Sequence, residues 1–233
     1  MDQPMMRVLA VIPARAGSKG LPGKHLMRLG GQTLIERAIR SAHQSTLITY
    51  FGVSSNDPAV RAEAAWFTLY IVIRPNELAD DTAGMIPVLQ HALAAFERRG
   101  RVSPYDLIVC LQPTSPFRTS EDIDTTIRLV TETGADSAQT LVEAAYSPYK
   151  MSLLDQGGHV HHLFPQQAVD DGRRQDCAAV QPSGSVYVTR REVLMAGRLI
   201  GKDHRGWMVP WERSVNINTI WDFKIAEMIL ANR

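Results

Sequence analysis

Apolar residues fall into short, nearly continuous runs separated by segments in which they recur every three or four positions. The runs RVLAVIP (residues 7–13), LITYFGVSS (47–55), LYIVIR (69–74), DLIVCL (106–111) and GSVYVT (184–189) have strand length and little alternation. That pattern predicts strands of a parallel sheet covered on both faces. Between them, Leu34, Ile35, Ala38, Ile39 and Ala42 mark one face of a first helix, and Asp57-Pro58 opens a second. A third helix spans about residues 83–99. A fourth starts with Ser120 as N-cap and Glu121 and Asp122 in its first turn, and stops at Gly134. Residues 219–233 read as a last helix, with apolar positions spread widely enough to predict burial on more than one side. Strand-helix alternation of this kind predicts an α/β fold with a doubly wound, mostly parallel sheet and ligands at the carboxyl ends of its strands.

The pattern breaks at about Tyr146 and resumes near Pro182, too long an interruption for an ordinary loop. It reads as an arm, residues 145–182, projecting from a domain made of residues 1–144 and 183–233. Leu153, Leu154, Leu163 and Phe164 in the arm need a partner subunit to bury them.

Composition narrows the class. Of 233 residues, 45% are hydrophobic and 21% charged, as in a globular protein with a sizeable core. The net charge of +1 gives no overall field for nucleic acid or acidic lipid, so any anion site is local. Two cysteines, Cys110 and Cys177, make no disulfide framework, and Cys110 reads as a small buried hydrophobe. The first residues, MDQPMMR, lack the pattern of a secretory signal, and no run is long enough to span a membrane. A cytoplasmic protein with no membrane contact is expected.

The candidate chemistry begins at the end of the first strand, in VIPARAGSKGLPGK (residues 11–24). Gly17, Gly20 and Gly23 allow backbone N–H groups close to phosphate oxygens, while Arg15, Lys19 and Lys24 supply positive charge. The loop matches neither G-x-x-x-x-G-K-[ST] nor G-x-G-x-x-G. A triphosphate site is the first reading and a solvated basic loop the alternative. HVHH (residues 159–162) has clustered imidazoles but no spaced set of further ligands, and reads as a polar hairpin turn.

Four blocks in order, IPARAGSKGLPGK, RPNELADDT, LQPTSPFR and RRQD, make the chain resemble the acylneuraminate cytidylyltransferase family, the CMP-N-acetylneuraminic acid synthetases, from Val8 to the final helix. The resemblance implies a Rossmann-like nucleotidyltransferase domain with a dimerisation arm, a homodimer, and Mg²⁺ as cofactor. The implied reaction joins CTP to an α-keto acid sugar, giving CMP-sugar and pyrophosphate. It also implies that Arg15, Ser18, Lys19 and Lys24 hold the triphosphate, together with the loop at Ala14, Gly17 and His25. Arg74, Thr82 and Ala83 would frame base and ribose. Gln112, Lys150, Arg174, Gln175 and Tyr187 would meet the sugar, with Arg15, Lys24 and Gln112 catalytic and Lys150 reaching across from a second subunit. Ordinary structural roles stay open for Arg74, Arg118, Gln112 and Lys150.

The chain departs from that family at several positions. It reads SVNINT where the family carries DI[DN]T, so Asn216 and Asn218 stand at the metal position and offer amide oxygens. Asp222 matches a family carboxylate at the start of the last helix, though it also suits a helix cap, and Asp80 and Asp81 are the nearest other carboxylates to the nucleotide region. Asn56 stands in SSN for STD, His25 replaces an asparagine after Lys24, Met85 replaces a small polar residue, and QPSG (residues 181–184) replaces RPNG. The rival readings are a CMP-Kdo-type synthetase, for which LPGK speaks, and a degenerate homologue that binds nucleotide with little turnover.

Overall fold

The structure is a computed structural model, and it describes residues 6–80, 82–100, 104–165 and 179–233. Asp81, Cys177 and the RRQD block with the expected sugar contacts Arg174 and Gln175 lie outside the described residues.

Three consecutive sheet neighbours form the parallel heart. Strand β1 (Val8–Pro13) lies between β4 (Tyr50–Ser55) and β6 (Leu107–Leu111), and β5 (Ile71–Ile73) extends the sheet beyond β4, all in parallel register. Every residue of β1 and β6 is buried, which is why their sequences do not alternate. On the other side of β6 the long β10 (Val180–Arg190) runs antiparallel, followed by β7 (Ser137–Glu143) and β11 (His204–Met208), so the order is β11-β7-β10-β6-β1-β4-β5. A small antiparallel pair, β2 (Arg28–Leu29) and β3 (Gln32–Thr33), follows the glycine-rich loop.

Helices cover both faces. α1 (Leu34–Gln44), α2 (Pro58–Ala64) and α4 (Ser120–Thr131) bury Ile35, Ile39, Val60, Ile123 and Ile127 against one side of β1 and β6. α3 (Met85–Gly100) and the short α5 (Arg191–Met195) bury Leu89, Leu93, Phe96 and Leu194 against the other. The helix starts follow capping chemistry: Asp57 Oδ1 accepts from Ala59 N at 2.9 Å, and Thr33 Oγ1 accepts from Glu36 N at 3.1 Å. In α4 the N-cap is Thr119, not Ser120. Its hydroxyl accepts from Asp122 N while Asp122 Oδ2 accepts from Thr119 N, both at 3.1 Å, and this reciprocal pair shifts the helix start. Gly134 takes a left-handed φ of 77° beyond the helix end.

The arm is not featureless. After β7, a single 3₁₀ turn (Pro148–Lys150) leads into a hairpin of β8 (Ser152–Leu154) and β9 (Val160–His162). Asp155 at its turn accepts from His159 N at 2.9 Å and faces His161 Nε2 at 3.0 Å, so His159 belongs to the turn and His161 and His162 to β9. Leu153 and Leu154 are 62% and 73% exposed, so no hydrophobic cover for the hairpin is found among the described residues.

The last helix, α6 (Ile220–Ala231), departs from expectation. Only Phe223 and Ala226 are buried, against Leu29, Leu34, Phe117 and Ile217, whereas Trp221 and Met228 are 68% and 67% exposed. One side packs on the domain and the other stays open.

Candidate active site

The loop after β1 turns at Gly17 and Gly23, with φ of 69° and 68°, a left-handed conformation that side chains disfavour. Gly20 is required for another reason: a Cβ there would stand 2.4 Å from the backbone oxygen of Asn218. The loop is pinned where it starts, since Ala14 N donates to Ser54 O at 3.0 Å and Ala16 N donates to Asn56 Oδ1 at 2.9 Å. Asn56 thus serves as a loop anchor.

A cavity of about 340 Å³ opens at the carboxyl ends of β1, β5 and β6. Arg15, Ser18, Lys19, Lys24 and His25 line it from the first loop. Arg74 and Met85 line it from the end of β5 and the start of α3; Gln112, Pro113 and Thr114 from beyond β6; and Asn218 from the segment before α6. Residues from five separate stretches converge there, two of them carrying Arg or Lys.

Lys24 is held hardest. Its Nζ donates to Ile217 O and to Asn218 Oδ1, both at 3.0 Å. Burial lowers its pKa, Arg15 lowers it further, and Asp222 raises it. Arg15 Nη1 donates to Ala79 O at 3.3 Å, which ties the loop to the segment following β5. Arg74 is 5% exposed, and its guanidinium donates to Ser54 Oγ at 3.2 Å and Ser54 O at 2.7 Å. Burial lowers its pKa to about 10, so it remains a cation at neutral pH. His25 is 6% exposed, and burial, with Lys24 and Arg74 beside it, pushes its pKa down to about 4. Its imidazole is therefore neutral at physiological pH.

One polar cavity residue was not singled out from sequence. Thr114 is 6% exposed and its hydroxyl is buried without a partner, an orphaned group on the cavity lining. Its carbonyl accepts from Ile217 N at 2.8 Å, joining the β6 loop to the Asn218 segment. The PTSP sequence was its only signal.

Other expected residues lie elsewhere. Thr82 and Ala83 do not line the cavity; both turn around Asp80, whose Oδ1 accepts from Thr82 N at 2.9 Å and Thr82 Oγ1 at 2.8 Å. Tyr187 packs beside Cys110 and Leu89 in the α3-side core, where burial raises its pKa. Lys150 is exposed on the arm. Asn216 sits against Gly184, where a Cβ would stand 2.4 Å from its Nδ2, and it does not line the cavity.

The donors expected to hold Mg²⁺ do not fit the ion. Asn218 Oδ1 is committed to Lys24, a cation, and Asn216 Oδ1 to Asn218 Nδ2 at 3.4 Å. Asp222 Oδ2 accepts from Asn218 N at 2.9 Å and Thr219 N at 2.7 Å, completing the capping box of α6. Among the described residues no group of three His, Cys, Asp or Glu is placed to hold a metal.

Comparison with known proteins agrees with this geometry. The family model described as cytidylyltransferase matches residues 9–202. The CMP-N,N'-diacetyllegionaminic acid synthase of Legionella pneumophila is 38% identical over 229 residues, covering 97% of each chain. The N-acylneuraminate cytidylyltransferase of Escherichia coli O18:K1:H7 is 26% identical over 222 residues, and there the chain spans about half of the relative's length, 51%. A solved CMP:2-keto-3-deoxy-manno-octonic acid synthetase complexed with CTP superposes with a TM-score of 0.71 at 16% identity, covering 97% and 99% of the two chains, a likeness of fold. A carboxyl-end cavity lined by Arg15, Lys19 and Lys24, on a sheet of this order and with these matches, identifies the chain as a nucleotidyltransferase belonging to the cytidylyltransferase family.

Proposed function

We propose that the chain transfers the cytidylyl group of CTP to a sialic-acid-like nonulosonic acid, releasing pyrophosphate. One observation carries the reading: Lys24, Arg15 and Lys19 line one cavity together with Gln112 from the neighbouring strand end. In the reaction, the anomeric oxygen of the acid attacks the α-phosphorus of CTP. The bond to the bridging oxygen breaks, the electron pair leaves with pyrophosphate, and the hydroxyl proton passes to solvent. Such a step needs mainly alignment and neutralisation of charge on the phosphoryl oxygens. Lys24 stabilises charge developing at the α-phosphate, Arg15 and Lys19 hold the outgoing phosphates with Ser18, and Ala14 and Gly17 offer backbone. Arg74, His25 and Met85 frame the nucleoside, and Gln112 orients the acid.

The nonulosonic class is supported by the Legionella and Escherichia relatives, whose names specify N,N'-diacetyllegionaminic acid and N-acylneuraminate. Mg²⁺ enters this reading bound to the nucleotide phosphates. We assign residues 1–144 and 183–233 to the nucleotidyltransferase domain and residues 145–182 to an arm that pairs two copies. The open apolar hairpin and the open face of α6 support a homodimer. In the dimer Lys150 approaches the partner's sugar site. We place the enzyme in the cytoplasm; no described helix is long and apolar enough to cross a membrane.

The deciding experiment measures pyrophosphate release with CTP and Mg²⁺ against N-acetylneuraminic, legionaminic and pseudaminic acids and Kdo. Release with one of the first three is expected. Release with Kdo alone moves the chain to the octulosonic branch, and CTP binding without release from any acid overturns the transferase reading.

A further inference from the structure

Arg118 is a buried cation with no hydrogen-bonded carboxylate among the described residues. It is 6% exposed, and its three hydrogen bonds go to a hydroxyl and two carbonyls. Nε donates to Ser41 Oγ of α1 at 3.2 Å, and Nη1 donates to Ser185 O of β10 at 2.8 Å and to Gln112 O at 3.1 Å. The neighbouring carboxylate, Asp122, is used elsewhere: it caps α4 and pairs with Arg213 Nη2 at 3.1 Å. Burial lowers the pKa of Arg118 to about 10, which still leaves it charged at neutral pH. A buried guanidinium whose hydrogen bonds all go to neutral groups, with Asp122 acting on it only through its charge, costs stability that an apolar residue at this position would not cost. Something else must favour it.

What it joins is informative. Gln112 is the first residue beyond β6, and its carbonyl also accepts from Ser115 N at 3.3 Å, closing a turn. Ser115 Oγ donates to Gly184 O at 3.2 Å, and Thr114 O accepts from Ile217 N at 2.8 Å. Ile217 O in turn accepts from Lys24 Nζ. A continuous path therefore runs from Arg118 through the Gln112–Ser115 turn to the lysine of the first loop. Arg118 fastens its Gln112 end to Ser185, midway along the antiparallel β10, and to Ser41 of α1. A lysine cannot replace it, because one ammonium does not span three acceptors on three elements, whereas the planar fork does.

We propose that Arg118 is a positioning residue for the transfer reaction, holding the Gln112–Thr114 turn so that Gln112 and the unpartnered Thr114 hydroxyl face the acid substrate. This rests on the reading of Gln112 as the contact to the acid. Arg118 itself touches no substrate; its effect passes through the carbonyl of Gln112.

The test uses Arg118→Lys and Arg118→Gly in the full chain, with two readouts. Hydrogen exchange without substrate follows residues 111–118, where Ser115 N–H reports the turn directly. Exchange of this segment is expected to quicken in both variants while β1 stays protected. In steady-state turnover, kcat/KM for the acid is expected to fall about tenfold to a hundredfold, the loss of hydrogen bonds from a charged donor. CTP affinity, measured by calorimetry, stays near wild type, and added guanidinium restores turnover to Arg118→Gly. Unchanged exchange at 111–118 overturns the proposal. So does a parallel loss of CTP affinity, turnover and melting temperature without guanidinium rescue, which marks a merely structural residue. If Arg118→Gly does not fold, Arg118→Lys decides by both readouts. If the wild type turns over no acid, the proposed function fails and hydrogen exchange alone still judges Arg118.

Discussion

His25 links the site to pH through folding. A histidine whose folded pKa lies below its unfolded value stabilises the native state while both forms are neutral, and that stability is lost as pH falls through the unfolded value. Here the pKa drops from 6.5 to about 4, because the ring is buried beside Lys24 and Arg74. The unfolded chain therefore binds the proton first on acidification. The full difference corresponds to about 3 kcal/mol below pH 4, of which about 2 kcal/mol is lost between pH 7.5 and 5. For a chain of this size that is a fall of roughly 4–8 °C in melting temperature from this one group. His25→Gln removes the titration, so the wild type is expected to lose that much more than the variant over the same pH range, by calorimetry or by fluorescence melting. Subtracting the two profiles cancels His91 and His204, whose pKa values are also lowered by burial. CTP supplies anions close to the ring and is expected to flatten the wild-type profile. Parallel profiles for wild type and His25→Gln refute the reasoning, whatever their absolute stability.

Other substitutions test other contacts. Lys24→Met is expected to lower kcat for pyrophosphate release by about a hundredfold or more, the loss of one preorganised charge at the phosphoryl group. Asn218→Asp places a carboxylate where Lys24 Nζ now finds an amide oxygen at 3.0 Å. The resulting ion pair is expected to neutralise Lys24 and raise KM for CTP about tenfold, and an unchanged KM refutes the assignment of Lys24 to the triphosphate. Gly20→Ala forces the loop or the Asn218 segment aside and is expected to cost about 1–3 kcal/mol in denaturant unfolding together with CTP affinity. Paired Leu154→Asp and Trp221→Glu substitutions are expected to yield monomer in sedimentation, because both residues lie on apolar surface that a single chain leaves open.

The central strands were legible because β1 and β6 are buried on both faces and read as unbroken apolar runs. β7 was not, since its buried residues include Ser137, Gln139 and Thr140, polar side chains that break any apolar run. β11 was equally hidden: HRGWM is an edge strand, mostly open to solvent on one side. At the site, charge spacing pointed to Arg15, Lys19 and Lys24, which do line one cavity. The roles of Asn218 and Thr114 depend on chain segments meeting across the sheet, and no local pattern encodes that. Arg118 looked like a helix-start cation for the same reason. The spread of apolar residues on α6 predicted two buried sides, and the structure buries one; periodicity records which residues avoid water without saying which molecule covers them.

The bond between Lys24 Nζ and Ile217 O spans 193 positions. During synthesis the first loop leaves the ribosome long before its acceptors exist, while β1, β4, β5 and β6 already have one another to pair with. The nascent chain thus gains its sheet early and its binding chemistry late, when the segment before α6 is delivered. Until then the lysine lacks both acceptors, and the three loop cations repel one another without restraint. A stalled chain ending before Asn216 is expected to be folded in its parallel half yet unable to retain CTP, so premature nascent chains would not sequester the nucleotide.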